Sequence, residues 1–180
     1  VTVGNPPFGR NNSLSIPFFN RAASCSDMIN FIVPRSWRKW SVTNRLDLSF
    51  TLVDDYDLLV NYVDASGVLV SQRSVLRTCV QTWRRSDERR TRVAVTDRGV
   101  VEKCTAHDAD VSLTIFGHGC GKVKESFARI PNTTQMFLRL KHPKALEALQ
   151  AVDFSRFYDR TAYTEALAFP EINFLLNEYI

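Results

Sequence analysis

The apolar positions of this chain switch between a period of two and a period near 3.6, and the switches delimit its elements. Val1 and Val3, on either side of Thr2, read as the last residues of a buried strand. Pro6 and Pro7 then end any pairing, because neither has a backbone N–H to give. Leu14, Phe18 and Ala22, with Phe19 and Ala23 beside them, make an apolar stripe on a helix over about residues 14–24. Ser13 is placed to cap it, and Pro17 is tolerated in its first turn. Met28 to Val33 is a short apolar run, interrupted by Asn30 and closed by Pro34, that reads as a buried strand. Strand, turn, helix and strand form a β-α-β unit, whose crossover is expected to be right-handed.

Ser41 to Leu46 continues as helix, and Leu48 to Val53 alternates as a strand. Asp54-Asp55-Tyr56-Asp57 reads as an acidic turn, either solvated or a metal or acid/base pair. Val60–Val63 and Val68–Val70 flank Asp64-Ala65-Ser66-Gly67 as a hairpin. Arg77 to Trp83 is a further strand, running into Arg84–Arg92, where five arginines must face solvent. That stretch is either a nucleic-acid backbone contact or a plain exposed loop. Val111 to Phe116 leads into Gly117-His118-Gly119-Cys120-Gly121, and Met136 to Leu140 is another strand. From Pro143 the pattern turns helical: Ala145, Leu146, Leu149 and Val152 share a face, and Tyr163–Phe169 and Glu171–Ile180 read as a helix pair with Pro170 between them.

Composition narrows this picture only a little. The 180 residues include 44% hydrophobic residues and 12 Phe, enough for a substantial core. A net charge of +4 and a pI near 9.0 suit a polyanionic partner without requiring one. No apolar run approaches the ~18 residues of a membrane span, so no membrane partner is expected. Four irregularly spaced cysteines point to free thiols in a reducing, intracellular compartment. Cys104, His107, His118 and Cys120 are zinc-type residues at spacings that do not suit a zinc site. With no initiator Met and a first residue already in a strand, a preceding segment is expected. No nucleophile elbow, P-loop or H-E-x-x-H is present, which argues against hydrolase and NTPase chemistry.

Candidate chemistry concentrates at two places. Asn5-Pro6-Pro7-Phe8-Gly9 is a stiff turn at the carboxyl end of the first strand, the edge where open α/β sheets bind ligands. It presents an amide, free carbonyls and an aromatic ring. Arg35-Ser36-Trp37-Arg38-Lys39-Trp40 follows the second strand at the same edge. Cations interleaved with rings are what single-strand-binding surfaces use. The same pattern also describes a helix start with a solvated basic face and a core tryptophan.

Asn5-Pro6-Pro7-Phe8 resembles the Asn/Asp-Pro-Pro-aromatic motif of S-adenosylmethionine-dependent amino-methyltransferases that act on adenine. Phage- and virus-type members share further segments, matched here by Phe18-Phe19-Asn20, Val33 to Lys39, Asn44-Arg45-Leu46 and, one residue short, Cys79-Val80-Gln81-Thr82-Trp83. The likeness spans about residues 1–125 and is most specific at 5–9 and 33–39. It implies an α/β fold: a partial Rossmann-like methyltransferase sheet with added strands over 1–142, and a helical C-terminal tail over 143–180. It also implies that the Asn5 oxygen and the Pro6 carbonyl accept both hydrogens of an adenine amine. That holds the nitrogen lone pair towards the methyl sulfonium, so catalysis is mostly positioning. Pro7 stiffens the turn, and Phe8 stacks on a flipped or single-stranded base. Gly9, Arg10, Arg35, Ser36, Trp37, Arg38, Lys39, Arg84 and Arg85 are then the expected nucleic-acid contacts, to DNA or RNA.

The cofactor half is not legible. Val111 to Gly121 looks like a strand and glycine loop, but no acid follows where the ribose hydroxyls need one. A glycine-rich turn between strands accounts better for it. S-adenosylmethionine binding would then need an upstream segment or a second protein chain to complete the fold. The other reading is a degenerate subunit with a structural or RNA-binding role in a larger assembly.

Overall fold

The computed structural model describes residues 1–69 and 76–180, so Val70, at the end of the expected hairpin, lies outside the described residues. The protein is mixed α/β, with two four-stranded sheets and, among the described residues, four α-helices. Its contacts divide it into two units, residues 1–93 with 160–163, and residues 94–159 with 164–180.

The first unit begins with strand β1 (Thr2–Gly4), helix α1 (Ser15–Ala23) and strand β2 (Met28–Pro34). A 3₁₀ turn over Arg35–Arg38 and a short helix α2 (Trp40–Thr43) lead to strands β3 (Phe50–Leu58) and β4 (Thr78–Arg85). The sheet order is β1-β2-β4-β3. β1 and β2 are parallel, in register from Thr2 opposite Ile29 to Gly4 opposite Phe31, while β4 runs antiparallel to β2 and β3. β1 is the outermost strand, which corrects the expectation of a buried one: Val1 and Val3 are 84% and 73% exposed.

Burial on α1 also differs from the expected stripe. Ile16, Phe19, Ala22 and Ala23 face the core, whereas Leu14 and Phe18 are half exposed. Phe19 is the hub, packed edge-on to Phe31, Trp37, Phe50 and Trp83 with ring centroids 5.5 to 6.3 Å away. Ser13 does not cap the helix; the Phe8 carbonyl accepts the N–H groups of Leu14 and Ser15 instead. The acidic run is likewise not a turn. β3 continues through Asp54–Asp57 past a bulge between Leu52 and Asp54, which sets Asp55 opposite Gln81 and Asp57 opposite Cys79. Around Asp64 a tight turn does form, closed by a bridge between Val63 and Leu69.

The second unit is built on strands β5 (Val101–Lys103), β6 (Val111–Thr114), β7 (Val123–Lys124) and β8 (Gln135–Leu140). They pair antiparallel in the order β5-β8-β6-β7. Helices α3 (Ala145–Ala151) and α4 (Phe169–Tyr179) follow. Pro170 sits in the first turn of α4, as its missing N–H allows. Tyr163–Phe169 is not a helix of its own: Leu167 donates to the Ile115 carbonyl and Ala166 bridges Phe116, so this stretch is extended against the sheet. Gly117 to Gly121 forms the turn between β6 and β7.

Candidate functional site

The turn after β1 is held open by its backbone. Gly9 has φ +67°, and a Cβ there would stand 2.5 Å from the Ser13 hydroxyl oxygen, so the chain can reverse only with glycine. Asn11 and Asn12 follow at φ 54° and 61°, the left-handed region that Asn tolerates. Asn12 is buried and donates through Nδ2 to the Ser36 hydroxyl at 3.1 Å, while Trp37 Nε1 donates to Ser15 Oγ at 3.1 Å. These two bonds join the loop after β1 and the first residue of α1 to the 3₁₀ turn after β2, bringing the two expected regions to one sheet edge.

Within the turn, Pro6 is buried and Phe8 half-buried, while Asn5 is exposed. The Asn5 amide makes no hydrogen bond among the described residues, and no backbone N–H donates to the Pro6 carbonyl. Two acceptors on adjacent residues are therefore unengaged among the described residues. They border a cleft of about 650 Å³ lined by Val3, Asn5, Pro6, Pro7, Phe18, Arg21 and Phe31. That volume lies within the ~300–1,000 Å³ of sites that bury a small organic ligand. The spacing of Pro17 and Arg21 along α1, continued by Cys25 just past its end, is the signal that could have found this wall. The apolar stripe through Leu14, Phe18 and Ala22 hides this wall in the sequence, because it reads as a core-facing surface.

The basic residues are placed differently from the expectation. Arg38 donates through Nε to both oxygens of Asp55 at 3.1 Å, and its Nη2 lies 2.6 Å from Asp55 and 2.9 Å from Asp57. Arg35 pairs with Asp57 at 2.8 Å. Gln81 Nε2 donates to Asp55 at 2.9 Å and Trp83 Nε1 to Gln81 at 3.1 Å, extending the network into the core. Burial alone would lower the Arg38 pKa, but Asp55 and Asp57 more than offset this and it is raised. Burial, and next the Asp55 charge, push the Cys79 thiol up to about 12. Trp37 is fully buried, so it cannot stack on a base. Lys39 is half-buried where α2 begins, and Arg10 is exposed beside Gly9.

Arg84 and Arg85 are not brought to this edge. Arg84 lies opposite Met28 whereas Thr78 lies opposite Pro34, so the pair sits at the other end of β2, roughly 20 Å away at ~3.3 Å per residue. Arg85 is tied to Asp27 at 3.0 Å and to the Ala23 and Ser26 carbonyls. Arg90 donates to the Phe50 carbonyl with its guanidinium 5.0 Å from the Trp83 ring centre. Much of the basic stretch thus braces the fold.

No carboxylate lines the cleft, and the glycine-rich segment is a hairpin turn in the other unit. The described residues therefore do not match the needs of S-adenosylmethionine, which are a glycine loop and a ribose acid at one edge. Among the described residues no group of three or more His, Cys, Asp or Glu side chains can hold a metal ion, and no helix is long and apolar enough to cross a membrane. No family model, curated protein or solved structure matches the chain.

Proposed function

We propose that residues 1–93 are the target-amine half of an adenine amino-methyltransferase site, built on the second half of a Rossmann-like sheet. The observation that carries this reading is the pair of unengaged acceptors, Asn5 Oδ1 and the Pro6 carbonyl, at the carboxyl end of a parallel strand and beside an apolar cleft. In a doubly wound sheet the ligand crevice lies where the strand order reverses. β1 is outermost and parallel to β2, so a further parallel strand on its free edge would create that reversal at Asn5. Such a strand would come from a preceding segment or a second chain, and it would bring the cofactor-holding residues that this cleft lacks.

The chain's own work is then positioning. Asn5 and Pro6 accept the two amino hydrogens, and Pro6, buried in the turn, restricts the backbone that carries both acceptors. Phe8, half-buried and outside the cleft lining, is the ring that would stack on the base, and Gly9 permits the reversal of the chain after it. S-adenosylmethionine, when bound, supplies the methyl group.

The acid-free cleft favours a second reading, a degenerate subunit that binds RNA without transferring a methyl group. Incubation with labelled S-adenosylmethionine and an adenine-containing single strand separates the two. Label on the adenine amine that disappears in Asn5→Ala supports the enzyme. Strand binding without label, with or without preceding sequence, supports the subunit.

A further inference from the structure

Two exposed side chains of α1 share the cleft with Asn5. Phe18 and Arg21 stand three residues apart, so they are neighbours on one helix face, and both line the cleft wall. Phe18 is 51% exposed and has no ring contact among the described residues, whereas the ring of Phe19 beside it meets four others. Arg21 is exposed, and its guanidinium has neither an ion pair nor a hydrogen bond among the described residues. The arginines that the sequence offered for this edge are engaged, Arg35 on Asp57 and Arg38 on Asp55 and Asp57. No carboxylate lines the cleft, so Arg21 gives it a positive charge that nothing in the lining compensates.

A guanidinium receives phosphate through paired N–H groups in a fixed fork. A ring beside such a cation is the combination that holds nucleotides on single-strand-binding surfaces. Pro7, Pro17 and Phe31 make the rest of the wall largely apolar, which suits the faces of a base and a sugar. At about 650 Å³ the cleft has room for base, sugar and phosphate together, within the ~300–1,000 Å³ of sites that bury a drug-sized ligand. A neutral ligand would leave the Arg21 charge unused, and a cation would be repelled by it.

We propose that this cleft takes one adenine nucleotide, with its phosphate on Arg21 and its base against Phe18. The inference rests on the reading that Asn5 and the Pro6 carbonyl accept the adenine amine. It adds a phosphate contact and a stacking ring that line the cleft itself, which Phe8 does not. The phosphate belongs either to a free mononucleotide or to a strand, and its chemistry towards Arg21 is the same in both.

The test is calorimetric titration of the full chain with adenosine, adenosine monophosphate, inosine monophosphate and a short adenine oligonucleotide. Adenosine monophosphate is expected to bind at least about fivefold tighter than adenosine, the scale of one hydrogen-bonded charge pair open to water. Arg21→Met should abolish that difference and Arg21→Lys keep part of it. Arg10→Met, at an exposed arginine outside the cleft lining, should leave it unchanged. Phe18→Ala should weaken adenosine and its monophosphate alike. With the oligonucleotide, Arg21→Met should also lower the slope of log affinity against log salt by ~0.7. Both side chains are exposed, so the thermal midpoints of these variants should stay near that of the wild type. Inosine monophosphate has a carbonyl in place of the amine. If it binds as tightly as adenosine monophosphate while the Arg21 dependence persists, the amine reading of Asn5 fails and the phosphate contact stands. Oligonucleotide binding much tighter than mononucleotide binding assigns the cleft to a strand, and equal binding assigns it to the free nucleotide. Adenosine bound as tightly as its monophosphate, an Arg21→Met protein that binds the monophosphate like the wild type, or no binding of the monophosphate would overturn the proposal.

Discussion

Arg38→Met separates a structural arginine from a phosphate contact. The Arg38 and Asp55 side chains are 14% and 18% exposed, and they share three hydrogen bonds. Removing Arg38 leaves Asp55 facing the Gln81 amide, which donates to it at 2.9 Å. Breaking a buried pair costs about 3–5 kcal/mol and an exposed one about 0–1 kcal/mol. Asp57, the second acid on Arg38, is 45% exposed and adds little, so the expected loss is about 3 kcal/mol, the lower end for a buried pair. All three tryptophans, Trp37, Trp40 and Trp83, lie in the first unit, so their fluorescence follows its unfolding alone. In urea, with a slope of about 1–3 kcal/mol per molar, the midpoint should fall by about 1–3 M. Pairing Arg38→Met with Asp55→Asn should recover part of this, because the stranded charge is gone. An Arg38→Met protein as stable as the wild type but defective in strand binding would refute the reasoning.

Three further outcomes follow from single environments. Cys79 keeps its proton in the fold up to about 12 while an unfolded thiol releases it near 9.0, so stability is complete below 9 and is lost as pH rises from there. Cys79→Val should flatten that alkaline slope in denaturation curves, and thiol reagents should label exposed Cys25 well before Cys79. Asp47 is held below 3.8 by the hydroxyl and N–H of Ser49, so its contribution is present above that pH and is lost as pH falls through its lowered value. Asp47→Asn should therefore lessen acid unfolding when melts are compared on either side of pH 3.8. Gly9→Ala should destabilise by more than about 1 kcal/mol and distort the Asn5 turn, read as a lower melting midpoint together with weaker strand binding.

The parts that could be read from the chain were those set by local chemistry. Pro34 ends β2, Pro170 opens α4, and the Gly117–Gly121 run turns between strands, each for a reason visible within a few residues. Long-range pairing was not visible. Asp54–Asp57 looked like a turn because the strand it pairs with, β4, lies over twenty residues later, and its ion-pair partners, Arg35 and Arg38, about twenty earlier. The same partners turned two expected phosphate contacts into internal ion pairs. Trp37 and Trp40 read alike in sequence, yet only Trp37 enters the Phe19 cluster. Val3 looked buried because it sits in a short β-branched run, and no local signal says that β1 forms the sheet edge. The polar face of the second sheet was within reach: Gln135, Phe137 and Arg139 alternate with Met136, Leu138 and Leu140.

The central claim is that Asn5 and Pro6 hold a target amine for methyl transfer. Its most direct test is the rate at which the protein, together with whatever segment or chain completes its cofactor site, forms N6-methyladenine in a single-stranded oligonucleotide. Wild type and Asn5→Ala would be compared by mass spectrometry of the digested strand. The account predicts methylation at the adenine amine and a loss of about a hundredfold or more in Asn5→Ala, the scale on which lost positioning slows a reaction. Methylation that proceeds at an undiminished rate in Asn5→Ala, or at another atom of the base, would contradict it.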